Sequence, residues 1–215
     1  QLRAVRASGK KPQIIHWENE WQEANDITDK ILDSVTGRGM NYADNMVLSR
    51  SVWGLRKVEA SCIDKKIPYT VYGGTGLMQS KHVRDVASPK RIVANFHDEL
   101  AWMRYLQLWR GIGAITASRI IAKVIEEPNI DECLENLSGL DLQKEIPATL
   151  VSISHMQTMP SSAIATALNN METRLEELYK DEWEWRKRDF DVLKDVALDT
   201  GSISEFVSEY VLDPK

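Results

Sequence analysis

The sequence has only two cysteines in 215 residues, Cys62 and Cys133, and neither has a CxxC or HxxxH companion. That excludes a disulfide scaffold and a zinc site built on clustered thiolates, and a reducing compartment is expected. No apolar run approaches the roughly twenty residues that cross a bilayer, and no signal-peptide pattern opens the chain. A cytoplasmic protein with no membrane partner is therefore expected. The four histidines, His16, His82, His97 and His155, are scattered, so metal ligation is not expected. There is no GxxxxGK[ST] loop and no Asp-Glu pair closing an apolar strand, so the phosphate cradle and metal carboxylate of a Walker-type nucleotide site are both missing. What is present is ordinary for a globular chain: 43% hydrophobic and 27% charged residues, enough for one large core or two modest ones. The chain runs from Gln1 to Lys215 and reads as a stretch of a longer protein.

The net charge of −5 argues against a general nucleic-acid sponge, but its distribution is uneven. Residues 79–124 carry eight basic side chains against three acidic ones, whereas residues 125–215 carry eight against twenty. A basic middle flanked by an acidic remainder suits a local phosphate-binding surface. Chance drift of a mixed surface is the plainer alternative.

Periodicity divides the chain in two. Pro12–Trp17, Met46–Leu48 and Tyr69–Tyr72 are short apolar runs that read as strands. Between them, residues 19–36 place Trp21, Ala24, Ile27, Ile31, Leu32 and Val35 at helical spacing, and a second helical stretch runs from Val52 to Cys62. Strand, helix, strand, helix, strand predicts an α/β fragment, a partial parallel sheet. From Ser80 onward helices take over. They are expected over 97–109, with Leu100, Met103, Leu106 and Gln107 inward; over 114–126, with Ile115, Ala117, Ile120, Ile121 and Val124 inward; as short pieces within 128–150; and as two long helices within 161–198. Ser202 opens a short last helix. The fold class expected is thus a partial sheet followed by a mostly α-helical domain, helix-dominated overall, with a boundary near residues 78–92.

Arg110-Gly111-Ile112-Gly113, with Thr116, Ala117 and Arg119 behind it, follows a helix–hairpin–helix pattern. The two glycines permit a tight turn, Ala117 lets the helices approach, and the next helix start offers unpaired N–H groups to an anion. Arg110 and Arg119 stand beside it. A plain glycine turn between packed helices is the competing reading. Arg50, in Val47-Leu48-Ser49-Arg50-Ser51, follows a strand candidate, where open sheets bind ligands and a guanidinium can grip phosphate. On spacing alone a solvated surface arginine is the stronger reading. Gly73 and Gly74 form a turn that feeds a helix carrying Lys81 and Arg84, a second surface that could meet nucleic acid; Asp85 there could equally be a packing or capping residue. Trp183 and Trp185 read as helix-packing residues.

Four stretches in order resemble the UvrD, Rep and PcrA family of superfamily-one DNA helicases. Val47 to Ser51 resembles that family's motif IV. Ile67-Pro68-Tyr69 with Gly73-Gly74 and Lys81 to Asp85 resembles its motif IVa. Asn95-Phe-His-Asp98-Glu99 through Arg110-Gly111-Ile112-Gly113 is similar to its "Asn-Pro-x-Asp-Asp … Arg-Gly-Ile-Gly" stretch, and Trp185-Arg186-x-x-Asp189-Phe with Ser204 to Phe206 to its closing helices. The resemblance implies that residues 1–88 are part of a second RecA-like motor domain and 89–215 an inserted helical DNA-contacting domain. It implies an ATP-dependent DNA helicase in replication or repair, with ATP and Mg²⁺ in the full-length protein, no cofactor in this stretch, and DNA and the remaining motor domains as partners. Arg50 would face the ATP γ-phosphate. Gly73, Gly74, Lys81, Arg84, Asn95, Arg110, Gly111, Ile112, Gly113, Thr116 and Arg119 would contact DNA. Ser49, Ser51 and Leu77-Met78 depart from the family's usual Tyr, Thr and aromatic residues. The alternatives are a stand-alone hairpin DNA-binding module, part of a recombination helicase–nuclease, and a structural helical adaptor.

Overall fold

The computed structural model describes residue 9 and residues 11–212. Among them there is no strand, so the expected partial parallel sheet is absent. Pro12–Trp17, Met46–Leu48 and Tyr69–Tyr72 run as extended chain without ladder partners. The physical reason lies in what a strand requires: its backbone groups are satisfied only by a neighbour, and runs of three to six residues on separate loops do not reach one another. Several of their apolar side chains point to solvent, with Ile14 88%, Met46 79%, Leu48 84% and Tyr72 85% exposed, while Tyr69 packs against the core.

Ten helices make up the rest: α1 Glu20–Arg38, α2 Arg56–Asp64, α3 Lys81–Ala94, α4 Glu99–Gln107, α5 Ala114–Val124, α6 Ile130–Ser138, α7 Glu145–Ser154, α8 Pro160–Tyr179, α9 Trp183–Leu198 and α10 Ile203–Phe206, which passes into a π-helical stretch, Val207–Leu212. Their starts are written locally. Asn19 accepts from Gln22 N–H, Asp98 from Ala101 N–H, Asn129 from Glu132 N–H and Ser202 from Glu205 N–H. Each cap satisfies a donor that the first turn leaves open.

A single apolar cluster runs from Ala60 to Tyr210. Helix α3 sits at its centre, touching α4, α7, α8, α9, α10 and the π-helical stretch. It continues through residues 88 and 89 with Pro89 in its interior. The helical phase differs from expectation at three points, one of them Gln107, which is exposed rather than inward. Leu100 is 77% and Ile115 72% exposed, because α4 buries Ala101, Trp102, Tyr105 and Leu106, and α5 buries Ala117, Ile120, Ile121 and Val124. At the far end, α1 buries only Ala24, Thr28 and Ser34 and is held to α2 by a Thr28–Ser61 hydroxyl contact of 2.8 Å.

Candidate nucleic-acid interface

The hairpin is built by the turn between α4 and α5. Leu108 and Trp109 are buried beneath it, and the chain reverses at Gly111, whose φ of 78° lies in the left-handed region that favours glycine. Gly113 has an ordinary extended conformation, φ −88°, and a Cβ there would meet nothing within 4 Å. The turn therefore requires one of its two glycines; the second leaves open space before α5. Gly113 is the N-cap of α5 without a side-chain acceptor, and no acidic residue stands in the first turn, as is also so at α3 and α8, whereas α1, α4 and α6 each have both a side-chain cap and a carboxylate there. The first turn of α5 thus leaves its amides open at the positive end of the helix dipole.

Around that opening, Arg110, Gly111, Gly113, Thr116 and Arg119 are exposed and Ile112 is half-buried. The two arginines differ. Arg110 pairs with Glu177 at 2.9 Å, and Gln143 Nε2 donates to its carbonyl at 2.8 Å. Arg119 forms no ion pair among the described residues. Arg174 ties the hairpin from below, donating to the Leu108 carbonyl and pairing with Glu177 at 2.9 Å. These hydrogen bonds and charges hold the Glu177 carboxyl below its usual range.

The other expected site residues lie elsewhere. Arg50 is exposed, in the irregular segment between α1 and α2, and pairs with no carboxylate among the described residues. Gly73 has φ 82°, and a Cβ on Gly74 would come within 2.5 Å of Val52 Cγ2, so this loop lies flat against Val52. Lys81 and Arg84 are exposed on α3, the former with Nζ 5.9 Å above the Tyr179 ring. Asn95 caps the end of α3 and accepts from His97 N–H at 3.1 Å. Asp85 is buried, receiving Arg104 at 2.6 Å and the Tyr179 hydroxyl at 2.5 Å.

Sequence reasoning missed a buried polar node joining α2, α3 and α9. Arg56 donates to Glu59 at 3.0 Å, to the Thr75 carbonyl at 2.9 Å, to Ser80 at 3.2 Å and to Asp189 at 3.2 Å. Glu59 accepts the Leu77 amide at 2.7 Å, and its burial outweighs these partners and raises its pKa. His82 Nδ1 lies 2.8 Å from an Arg186 nitrogen, which can only donate, so Nδ1 accepts there and Nε2 faces Asp189 at 3.0 Å. The one available signal was the i, i+3 pair Arg56 and Glu59; Asp189, which joins α9 to the node, is more than a hundred residues away in sequence from Arg56 and from His82. Trp183 is buried as expected, but Trp185 is 64% exposed.

Fold and site together define an all-helical assembly carrying a glycine-turn helix pair whose second helix begins with open amides. Residues 1–198 match the model of the UvrD-like helicase C-terminal domain, and the chain belongs to that family. It is 25% identical over 158 residues to the ATP-dependent DNA helicase PcrA of Staphylococcus epidermidis, covering 72% of this chain and 21% of that protein. It is 29% identical over 113 residues to the ATP-dependent DNA helicase Rep of Buchnera aphidicola, covering 52% and 17%. DNA helicase II of Rickettsia typhi is 30% identical over 145 residues, covering 66% and 21%. The chain thus spans about a fifth of the length of these curated relatives.

Proposed function

We propose that this chain is part of an ATP-dependent DNA helicase and that the Gly111–Gly113 hairpin is its grip on the phosphates of duplex DNA. The observation that carries this reading is the start of α5: open amides, no carboxylate in the first turn, and no side-chain cap at Gly113. A helix start of this kind takes a phosphate regardless of base sequence, which is what an enzyme moving along DNA requires. Arg119 adds a guanidinium with no ion pair among the described residues, and Arg110 can exchange an exposed carboxylate for phosphate at small cost, because such surface pairs contribute only about 0–1 kcal/mol. Thr116 and Ile112 flank the opening.

In this reading residues 1–88 belong to the second motor domain and 89–215 to the inserted helical domain. Gly73, Gly74, Lys81, Arg84 and Asn95 form the contact with a single strand. Exposed and pairing with no carboxylate among the described residues, Arg50 would face the γ-phosphate of ATP and stabilise the charge that develops on its transfer. No group of three His, Cys, Asp or Glu residues among those described could hold a metal ion, so no residue here is assigned to Mg²⁺. No helix among the described residues is long and apolar enough to cross a membrane. Replacing Gly111 by Val tests the hairpin: forked-duplex binding should be lost while helix content is kept. Binding equal to that of the unaltered chain would make the hairpin a packing turn.

A further inference from the structure

The two arginines of the hairpin stand in opposite states. Arg119 forms no ion pair among the described residues, whereas Arg110 is engaged at two points. Its Nε donates to Glu177 Oε2 at 3.0 Å, and its Nη2 pairs with Oε1 at 2.9 Å. A guanidinium meets a phosphate through the same two parallel N–H bonds, so the Glu177 carboxylate occupies the place that a pair of phosphate oxygens would take. The Arg110 side chain is 70% exposed, which leaves that place within reach of an anion arriving from solution.

The carboxylate is itself fixed from the other side. Arg174, only 19% exposed, donates to the Leu108 carbonyl at the base of the hairpin and from Nη1 to Glu177 Oε2 at 2.9 Å. When Arg110 swings to a phosphate, Glu177 therefore keeps a counter-ion and no charge is stranded. The hairpin backbone need not move, because Gln143 Nε2 holds the Arg110 carbonyl at 2.8 Å while the side chain turns. Arg174 first, and Arg110 after it, hold the Glu177 carboxyl below its usual range, so it remains an anion through neutral pH. An exposed pair of this kind braces a fold only weakly. As a competitor it acts on every phosphate that approaches Arg110, since each must first displace it.

We propose that Glu177 is the affinity-limiting residue of the duplex grip: a carboxylate that occupies Arg110 until a backbone phosphate displaces it, and that reclaims Arg110 when the phosphate leaves. The inference rests on the reading of the hairpin as the contact with duplex phosphates, and it adds that this contact is built to let go. One guanidinium, Arg119, stands ready, and the other is released only in exchange. A grip of that kind suits a protein that moves along DNA, because a phosphate held by both arginines without a competitor would leave slowly.

The probe is a fluorescently labelled forked duplex, its affinity read by anisotropy across a range of salt. Glu177→Gln removes the charge and keeps an oxygen for Arg174; it should tighten binding by about 3- to 5-fold, the upper end for an exposed ion pair, and steepen the salt dependence by up to about one phosphate. A residue that merely braced the hairpin would give the opposite sign. Glu176→Gln removes the same charge at the neighbouring position of α8, which forms no ion pair among the described residues, and should change affinity by less than about twofold. In a chain already carrying Arg110→Ala, adding Glu177→Gln should also bring less than about a twofold gain, because the effect passes through Arg110. Binding unchanged or weakened in Glu177→Gln, an equal gain from Glu176→Gln, or a gain that persists without Arg110 would each overturn the proposal. Binding lost in Gly111→Val but unchanged in Glu177→Gln would overturn this inference alone. Gly111→Val binding like the unaltered chain would overturn the hairpin reading, with the Arg110 cycle still deciding this one, and absence of binding in every chain would overturn both.

Discussion

Arg56 on α2 donates from Nε to Asp189 on α9 at 3.2 Å, 133 positions further along the chain, with both side chains buried. The same carboxylate receives His82 of α3, so one anion ties three helices together. Removing one member of a buried charge pair strands the other without water or partner. Asp189→Ala should therefore cost about 3–5 kcal/mol in a urea titration, and Asp189→Asn less, because an amide oxygen still accepts from Arg56. A cost below about 1 kcal/mol for the alanine variant would mean that the node is solvated.

Lys90 is the counterpart of that node: a fully buried amine whose one hydrogen bond goes to the Val86 carbonyl, one turn back on α3. Burial without a counter-ion lowers its pKa from 10.5 to about 7. Between those two values the unfolded chain binds the proton and the folded chain does not, so this group's contribution to stability rises with pH across that window. Lys90→Met should stabilise the fold by about 1–3 kcal/mol near neutral pH and show a smaller gain at pH 10. The difference between variant and unaltered chain cancels the titration of tyrosines and cysteines. A gain that is constant from pH 6 to pH 10 would contradict this account.

Both thiols are buried, and burial pushes each up to about 11. Reaction requires the thiolate, so a thiol reagent at pH 8 should label neither Cys62 nor Cys133 in the native chain and both in denaturant. Rapid native labelling of Cys62 would show α2 opening from the core.

These groups mark how far the sequence could be read. Capping residues and 3.6-residue periodicity located α1, α4, α5 and the start of α10 to within a few residues, and α6 to α9 only as short pieces within 128–150 and two long helices within 161–198, because those signals are local. The three apolar runs failed as strands because a strand is a property of two segments, and neighbours for Met46–Leu48 and Tyr69–Tyr72 are not found among the described residues. The hairpin was legible from Gly111 and Ala117. Gly113 was misread as a conformational requirement, since only backbone angles separate it from Gly111. The Asp189 node was illegible because its members meet only when α2 and α9 pack side by side.

Arg50 is exposed and forms no ion pair among the described residues, so its substitution should leave the fold intact. In the full-length helicase Arg50→Ala should lower kcat for DNA-stimulated ATP hydrolysis by roughly a thousandfold with little change in DNA affinity, as for an arginine that stabilises transferring phosphate. Steady-state ATPase assays with DNA at saturation check it. Turnover equal to that of the unaltered enzyme would return Arg50 to the solvated surface.

The central claim is that α5 opens onto phosphate, and salt dependence of binding measures it most directly. Titrating forked DNA with the chain across a range of salt should give sequence-independent affinity near the non-specific range, roughly 10⁻⁴ to 10⁻⁶ M, with log Kd rising linearly with log salt. Arg119→Ala should flatten that slope by about one phosphate. Arg110→Ala should flatten it by no more than that, since Glu177 already neutralises part of the Arg110 charge. Gly111→Val should abolish binding. Slopes and affinities indistinguishable from those of the unaltered chain in all three variants would contradict the account.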